Sequence, residues 1–463
     1  MTRLARLLWV LSLSASIARC ETTSTSTSGS ESTAKSSPSS SSDDGGGIVV
    51  LTGTRTSDDT KTTPTNLYKT YSSTITLATT TLATGVSSIE SNGTISTSPT
   101  GTLTYLTGSA TSSMNTNEGA NSTTSTTAEV PAPTNTRPCN NYPEFCDRKY
   151  SNITEVGCHN SPFVRAGSAA ANQQLDVVSQ LNDGVRFLQA QIQWPVNGTI
   201  PHFCHTTCDL FDAGPITGWL TEVKNWVAAH PYDVVTILLG NGNYSTPDLY
   251  VPYIESTGIL QYIYTPPVVP MSLDDWPTLA SMILSGQRVV MFLDYIANQT
   301  AYPWLLDEFS QMWETPFDPL NQSFPCTVQR PPDLQPEDAK KRLYLMNHNL
   351  NVEVSLLGAS IVVPAVSQLN QTNNYTGFGS LGLAANNCRS DWDRAPNVLN
   401  VDYYNYGGYP GSVFEAAARV NNVTYNRPCC GVAASAAIRF RDMEATRFLL
   451  NLCLVGAGLW ALI

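Results

Sequence analysis

Gly157-Cys158-His159-Asn160-Ser161 ends a short apolar run that begins at Ile153. A run of this kind, closing on a histidine and an amide, is what a strand looks like when it delivers side chains to a site. A second histidine stretch follows: Pro201-His202-Phe203-Cys204-His205-Thr206-Thr207-Cys208. Around these two, short β-like runs alternate with helical ones. Val185–Ile192, Ile200–His205, Val234–Leu239, Arg288–Leu293, Leu343–Met346 and Val398–Val401 read as strands, being rich in β-branched and apolar residues. Ala169–Leu181 reads as a helix with Ser168 as its N-cap. Ile216–Ala229 reads as another, with Trp219, Val223 and Trp226 on one face and Pro231 just past its end. Leu273–Ser285 and Gly411–Val420 complete the set. Strand, helix and strand repeated in this way predict an α/β domain with a parallel sheet, and the number of repeats favours a TIM-type (β/α) barrel. A doubly wound open sheet is the alternative. It is weakened because no Gly-rich phosphate loop follows a strand.

This domain spans 138–430, and the flanks differ from it in composition. Residues 1–20 have the form of a signal peptide, with Arg3 and Arg6 ahead of an apolar run from Leu7 to Ile17. Residues 21–137 are dominated by Ser, Thr and Gly, which predicts a disordered, O-glycosylated stalk, in which only Leu77–Leu82 has the makings of isolated β structure. From Gly431 come small residues, then a polar spacer (Arg439 to Arg447), then an apolar tail, Phe448 to Ile463. That is the pattern of a glycosylphosphatidylinositol (GPI) attachment signal over 431–463. A single membrane span is the alternative, but the tail is short for one and no Lys or Arg follows it.

Charged residues make up 13% of the chain and the net charge is −12. Such a surface excludes a nucleic acid partner and simple electrostatic docking on anionic lipid. Nine cysteines lie between Cys139 and Cys430, which points to an oxidised domain with one free thiol or one intermolecular bond left over. Cys139–Cys146 and Cys204–Cys208 are close enough to pair, and the connectivity is otherwise open. Ten Asn-x-Ser/Thr sequons, together with the secretory start, point to a glycoprotein exported from the cell.

In a barrel, the site forms at the C-terminal ends of the strands. Polar residues gather at those ends here: His159 and Asn160, then Gln189, Gln191 and Gln193, then His205, Asn241 and Asn243, Asp294, Asn347 and His348, and Asp402. Strand alternation puts Gln189 and Gln191 on one face and Arg186 on the other, outside the mouth. It also puts His202 and His205 on opposite faces, which argues against a His-x-x-His metal pair. Two histidines facing one pocket suit two-step phosphodiester cleavage, one taking a proton from an attacking hydroxyl and the other giving one to the leaving oxygen. The phosphorane charge then calls for a cation.

Residues from about Cys139 to Pro428 resemble the phosphatidylinositol-specific phospholipase C (X-domain) superfamily, in particular the secreted fungal PLC-like phosphodiesterases. The likeness rests on Gly157-Cys158-His159-Asn160-Ser161-Pro162-Phe163, Gly184-Val185-Arg186-Phe187-Leu188-Gln189-Ala190-Gln191, His202-Phe203-Cys204-His205-Thr206-Thr207-Cys208, Val289-Val290-Met291-Phe292-Leu293-Asp294-Tyr295 and Asn397-Val398-Leu399-Asn400-Val401-Asp402-Tyr403. The resemblance implies a TIM-type barrel, His159 as general base, His205 as general acid and Asp402 as the carboxylate that orients the base. It implies that Asn160 stands where the calcium-dependent enzymes carry a metal-ligating Asn. Acidic residues, or the bacterial Arg, are expected where this chain has Gln189 and Gln191. Calcium through Asn160 would therefore lack its acidic ligands. Arg165, in the loop after His159, is the candidate replacement cation, with Gln189, Gln191 and Asp294 as further substrate-binding candidates.

The sequence thus predicts an exported, GPI-anchored phosphoric diester hydrolase acting on a polyol or lipid head-group phosphodiester at a membrane or cell wall. The rivals are a non-catalytic surface protein on the same barrel and a glycan hydrolase. The latter has only Asp294 and Asp402 for the two carboxylates it needs.

Overall fold

Apolar strand residues in the computed structural model assemble eight parallel strands among the described residues, which are 67–77, 137–356 and 359–430. They are β1 (Glu155–Cys158), β2 (Phe187–Gln193), β3 (Val235–Asn241), β4 (Val289–Leu293), β5 (Leu305–Asp307), β6 (Met312–Glu314), β7 (Leu343–Asn347) and β8 (Val398–Val401). Their hydrogen-bonded order is β6-β7-β8-β1-β2-β3-β4-β5. That is sequence order taken around a ring, with a seam between β5 and β6, which the four-residue helix Glu308–Gln311 joins. The fold is α/β with a TIM-type barrel. The signal peptide expected over 1–20, the rest of the 21–137 stalk and the attachment signal expected over 431–463 lie outside the described residues.

Alternation along the strands builds two layers. Val156, Leu188, Ala190, Ile237, Leu239 and Met291 pack with Leu220, Val223 and Trp226 of the helix Ile216–Ala229. Phe187, Leu238, Phe292, Leu345 and Val398 form a second cluster. One step further along the same strand faces, this cluster gives way to polar side chains: Gln189 after Phe187, Asn400 after Val398, Asn347 after Leu345 and Glu314 after Met312. Asn400 Nδ2 donates to Gln189 Oε1 (2.8 Å) and lies 3.3 Å from Asn347 Oδ1. Asn347 Nδ2 in turn donates to Glu314 Oε2 (3.2 Å). Buried amides need such partners, since leaving one unpaired costs more than the bond contributes.

The bond from β8 to β2 has to pass over β1, and Gly157 is what lets it. Gly157 is in register with Asn400 on one side and Phe187 on the other. A Cβ there would stand 2.8 Å from Val398 Cγ1 and 3.2 Å from Asn400 Oδ1. Arg186, by contrast, lies away from the mouth, as alternation predicts, with Nη2 2.7 Å from Asp233 Oδ1.

Several elements depart from the sequence expectations. The third predicted strand is His202–His205 and is not a barrel stave. It runs antiparallel to β2 (Ile192 opposite Phe203) and pairs with Phe211–Pro215. The loop between β2 and this strand is too short for the crossover that a parallel neighbour would need. The helix predicted over Ala169–Leu181 begins only at Val177. Asp176 caps it by accepting from the Ser179 amide (2.8 Å), whereas Ser168 Oγ takes the Ala170 amide in a local turn. The helix predicted over Leu273–Ser285 begins at Leu279, behind a Thr278 cap.

Four disulfides are present among the described residues: Cys139–Cys146, Cys204–Cys208, Cys326–Cys388 and Cys429–Cys430. The leftover thiol is Cys158, buried in β1. The unstructured stalk expected over 21–137 does not hold for residues 67–77. Ile75–Thr76 pairs antiparallel with Val268–Val269, Leu77 is buried, and the Tyr68 ring packs edge-on against Phe309 (4.8 Å) and Tyr295 (5.5 Å). Leu67, Tyr68, Tyr71, Ile75 and Leu77 give this short stretch the apolar surface that its neighbours lack.

Gly157→Ala should destabilise the barrel by about 1–3 kcal/mol, the usual cost of overpacking against a stiff side chain such as Val398. Denaturant unfolding with an unchanged midpoint would show that β1 has room there.

Candidate active site

His159 follows β1 directly and is buried, and Asp402, just past β8, is buried beside it. His159 Nδ1 and Asp402 Oδ1 are 2.8 Å apart. The pairing of β8 with β1, with Val401 opposite Cys158, brings the two residues side by side. The irregular loop before helix Val177–Asp183 holds them. Asn172 Nδ2 donates to Asp402 Oδ1 (3.0 Å), and Gln173 Nε2 donates to the carbonyls of His159 (2.8 Å) and Val401 (2.9 Å). Asn160, in the left-handed region at φ 50°, donates to Asn172 Oδ1 (3.3 Å). Asn172 and Gln173 are site residues that sequence reasoning missed, because they lie where a helix was expected.

His205 is half-buried at the end of its hairpin strand. The Cys204–Cys208 disulfide closes the turn that carries it, and Gln193 Nε2 donates to the Thr206 carbonyl in that turn (2.9 Å). The Phe163 ring meets the imidazole edge-on at 5.2 Å. The two histidines are electrostatically opposed. Burial alone would lower the His159 pKa, but the charge and hydrogen bond of Asp402, with Asp318 and Glu314 beyond, raise it above the ordinary value. Burial, and then the positive charge of His159, push His205 down to about 4.

The amides of β2 are tied through their oxygens. Gln189 Oε1 accepts from Asn400 (2.8 Å) and Gln191 Oε1 accepts from Gln193 (3.1 Å). Asp294 ends β4, but Oδ1 is spent on the backbone amides of Asn241 and Tyr295 (2.7 Å each). The Arg165 guanidinium stacks over Phe211 at 3.9 Å and donates to the Asp212 carbonyl. Phe211 backs onto Phe163 (5.4 Å) and is in register with His205 across the hairpin. A buried cation that the sequence reading did not single out is Arg330, from the irregular stretch after β6. It meets Glu314 Oε2 (3.0 Å) and the Tyr295 hydroxyl (2.6 Å), with Asp294 at 3.7 Å.

Residues 145–421 match the family described as PI-PLC X 1. The chain belongs to the PI-PLC X domain family. It is similar to an uncharacterized secreted protein of Arthroderma benhamiae, 51% identical over 355 residues, which cover 76% of this chain and 80% of that one. It is also similar to PI-PLC X domain-containing protein 1 of the same organism, 39% identical over 271 residues (58% and 86%). Among solved structures it is similar to the F249X mutant of phosphatidylinositol-specific phospholipase C from Staphylococcus aureus. That likeness has 12% identity and a TM-score of 0.40, over 60% of this chain and 95% of the other.

In this PI-PLC X domain the donor set around Asn160 does not fit calcium. Asn160, Gln189 and Gln191 are neutral amides, and a hard dication prefers carboxylates. Among the described residues no group of three or more His, Cys, Asp or Glu is placed to hold a metal ion.

Buried carboxyls give the PI-PLC X domain a characteristic response to pH. Burial lifts Glu155 and Asp307 to about 7 and Asp294 to about 6, and burial with the Glu314 charge raises Glu308 well above its usual range. Each keeps its proton in the fold at a pH where the unfolded chain has lost it, so the native state binds more protons and stability falls as pH rises. His159, raised in the fold, acts in the same direction. His205 and His348, both depressed, act oppositely, but only below the ordinary imidazole value. From about pH 6.5 to about pH 8 the melting temperature should therefore fall by several degrees. A rise across that window in a calorimetric series would contradict the assignment.

Proposed function

We propose that this PI-PLC X domain is a phosphoric diester hydrolase working by histidine acid–base catalysis on a diester whose phosphate neighbours a free hydroxyl. The observation that carries the reading is the pair of imidazoles with opposite proton affinities, one of them held by Asp402. His159 donates Nδ1–H to Asp402, which leaves Nε2 to take the proton of the attacking hydroxyl. That oxygen bonds to phosphorus, the ester oxygen departs with a proton from His205, and a cyclic diester results. Water then opens the ring with the two roles exchanged. In the free protein the proton rests on His159 rather than His205, so the reacting form is the less populated one, in which His159 Nε2 is bare and His205 carries the proton.

Gln189 and Gln191 replace a charged group with hydrogen bonds. Their oxygens are already taken, so each has its Nε2 group left to donate to phosphate or polyol oxygens. The same amide band, Gln189, Asn400 and Asn347 with Gln191 and Gln193, favours a second reading in which the barrel binds a polyol without cleaving it. Location outside the cell is supported by the disulfides and by the secreted relative. We assign 431–463 to the GPI attachment signal, and so place the protein at a membrane or cell wall.

On a glycerophosphodiester substrate, His159→Ala and His205→Ala should each lower kcat/KM by about a hundredfold to ten-thousandfold. A chelator should leave the wild-type rate unchanged. The pH profile of kcat/KM should be a bell with its acid limb near 4 and its alkaline limb above the ordinary imidazole value of about 6.5. Asp402→Asn should move the alkaline limb down. Full activity in either alanine variant would remove the site, and tight polyol binding without turnover would establish the second reading.

A further inference from the structure

Six sequon asparagines lie in the connections that leave the C-terminal ends of the strands: Asn197 after β2, Asn243 after β3, Asn298 after β4, Asn321 after β6, and Asn370 (in the short helix Leu369–Thr372) and Asn374 after β7. They therefore stand around the mouth that holds His159 and His205. Asn152 and Asn422 sit at the other end, before β1 and after helix Ser412–Val420. Asn197, Asn243, Asn321 and Asn370 are exposed, and Asn298 and Asn374 partly so.

The local hydrogen bonding leaves the reactive nitrogen available. Asn243 Oδ1 accepts from the Trp194 amide (2.8 Å), Asn298 Oδ1 from Ala301 (3.2 Å), Asn321 Oδ1 from Ser323 (2.9 Å) and Asn374 Oδ1 from Tyr375 (2.7 Å). In all four the oxygen is engaged, and the sugar would attach at Nδ2. Asn197, at φ 60°, lies in the hairpin loop between β2 and His202–His205.

The same rim exposes apolar side chains. Val196 is 79% exposed, Phe378 64% and Tyr244 45%. An apolar rim around a lipase-like mouth would ordinarily read as a surface for a bilayer. Here Val196 precedes Asn197, Tyr244 is the middle residue of the Asn243 sequon, and Phe378 lies four residues past Asn374. The apolar face of a first sugar ring would cover each. The net charge of −12 adds no attraction to anionic lipid.

We propose that N-linked glycans crown the mouth, hold it off the bilayer and restrict the enzyme to water-soluble phosphodiesters of a polyol, such as a deacylated phosphoinositide. A lipid would have to enter head first with its acyl chains still in the membrane, and a ring of branched oligosaccharides blocks that approach. A small soluble diester passes between them. The substrate class rests on the hydrolase reading above, whereas the crown does not.

The test uses full-length protein from a host that N-glycosylates. Peptide mass spectrometry after enzymatic glycan release should find Asn197, Asn243 and Asn374 occupied. The glycosylated protein should not sediment with phosphatidylcholine–phosphatidylinositol vesicles. It should cleave glycerophosphoinositol at least about tenfold faster than vesicle phosphatidylinositol, and enzymatic deglycosylation should narrow that ratio. Empty sites at the rim, or equal rates of the glycosylated protein on both substrates, would overturn the proposal. Cleavage of neither diester, with the rim sites occupied and vesicles excluded, would overturn the hydrolase reading and its substrate class and leave the crown standing.

Discussion

The hydrogen bond from Asn400 to Gln189, passing over Gly157, is the contact on which the upper half of the barrel depends. A barrel interior that turns from apolar to polar must satisfy every amide it buries. Here the chain Glu314, Asn347, Asn400 and Gln189 pairs the Nδ2 groups of Asn347 and Asn400 across four strands, leaving Asn400 Oδ1 without a partner, and it crosses β1 only because β1 has no side chain at the crossing. The same strand then turns into His159 two residues later. Packing and chemistry thus meet in one short stretch, and the polar layer it permits is the floor of the candidate site.

Charge at the mouth is arranged by subtraction. Arg330 is buried among Glu314, Asp294 and Tyr295, and three aromatic rings, of Tyr295, Phe309 and Phe317, lie against its guanidinium. Arg165 is spent on the face of Phe211 and the Asp212 carbonyl. Gln189 and Gln191 are neutral donors, so the difference in proton affinity between the two rings carries much of the electrostatics of the site. Asp402 sets one end of that difference and burial sets the other.

Much of this was legible in the sequence. The apolar runs ending in polar residues located β1 to β4, β7 and β8, and alternation alone separated Gln189 and Gln191 from Arg186. His159, His205 and Asp402 followed from the same logic. β5 and β6 were not legible, since three residues carry too little periodicity to register. The hairpin carrying His205 looks like a stave in sequence because pairing direction leaves no mark in a single strand. Asn172 and Gln173 were hidden by an apparent helix, in a segment whose side chains are committed to strand ends. Arg330 was hidden because an irregular stretch has no period that would aim a side chain.

The docking of residues 67–77 changes the mechanical character of the Ser/Thr-rich region. The barrel grips the chain at Leu77, whose amide donates to the Pro267 carbonyl, and again at Arg137, whose guanidinium lies over Tyr232. Tension arriving from the N-terminal side is borne at Ile75–Thr76 before it reaches the rest of the domain. A cut in the chain between Leu77 and Arg137 would sever the covalent link but not the grip, and release of the N-terminal portion would then be governed by how fast a two-residue strand and a tyrosine let go.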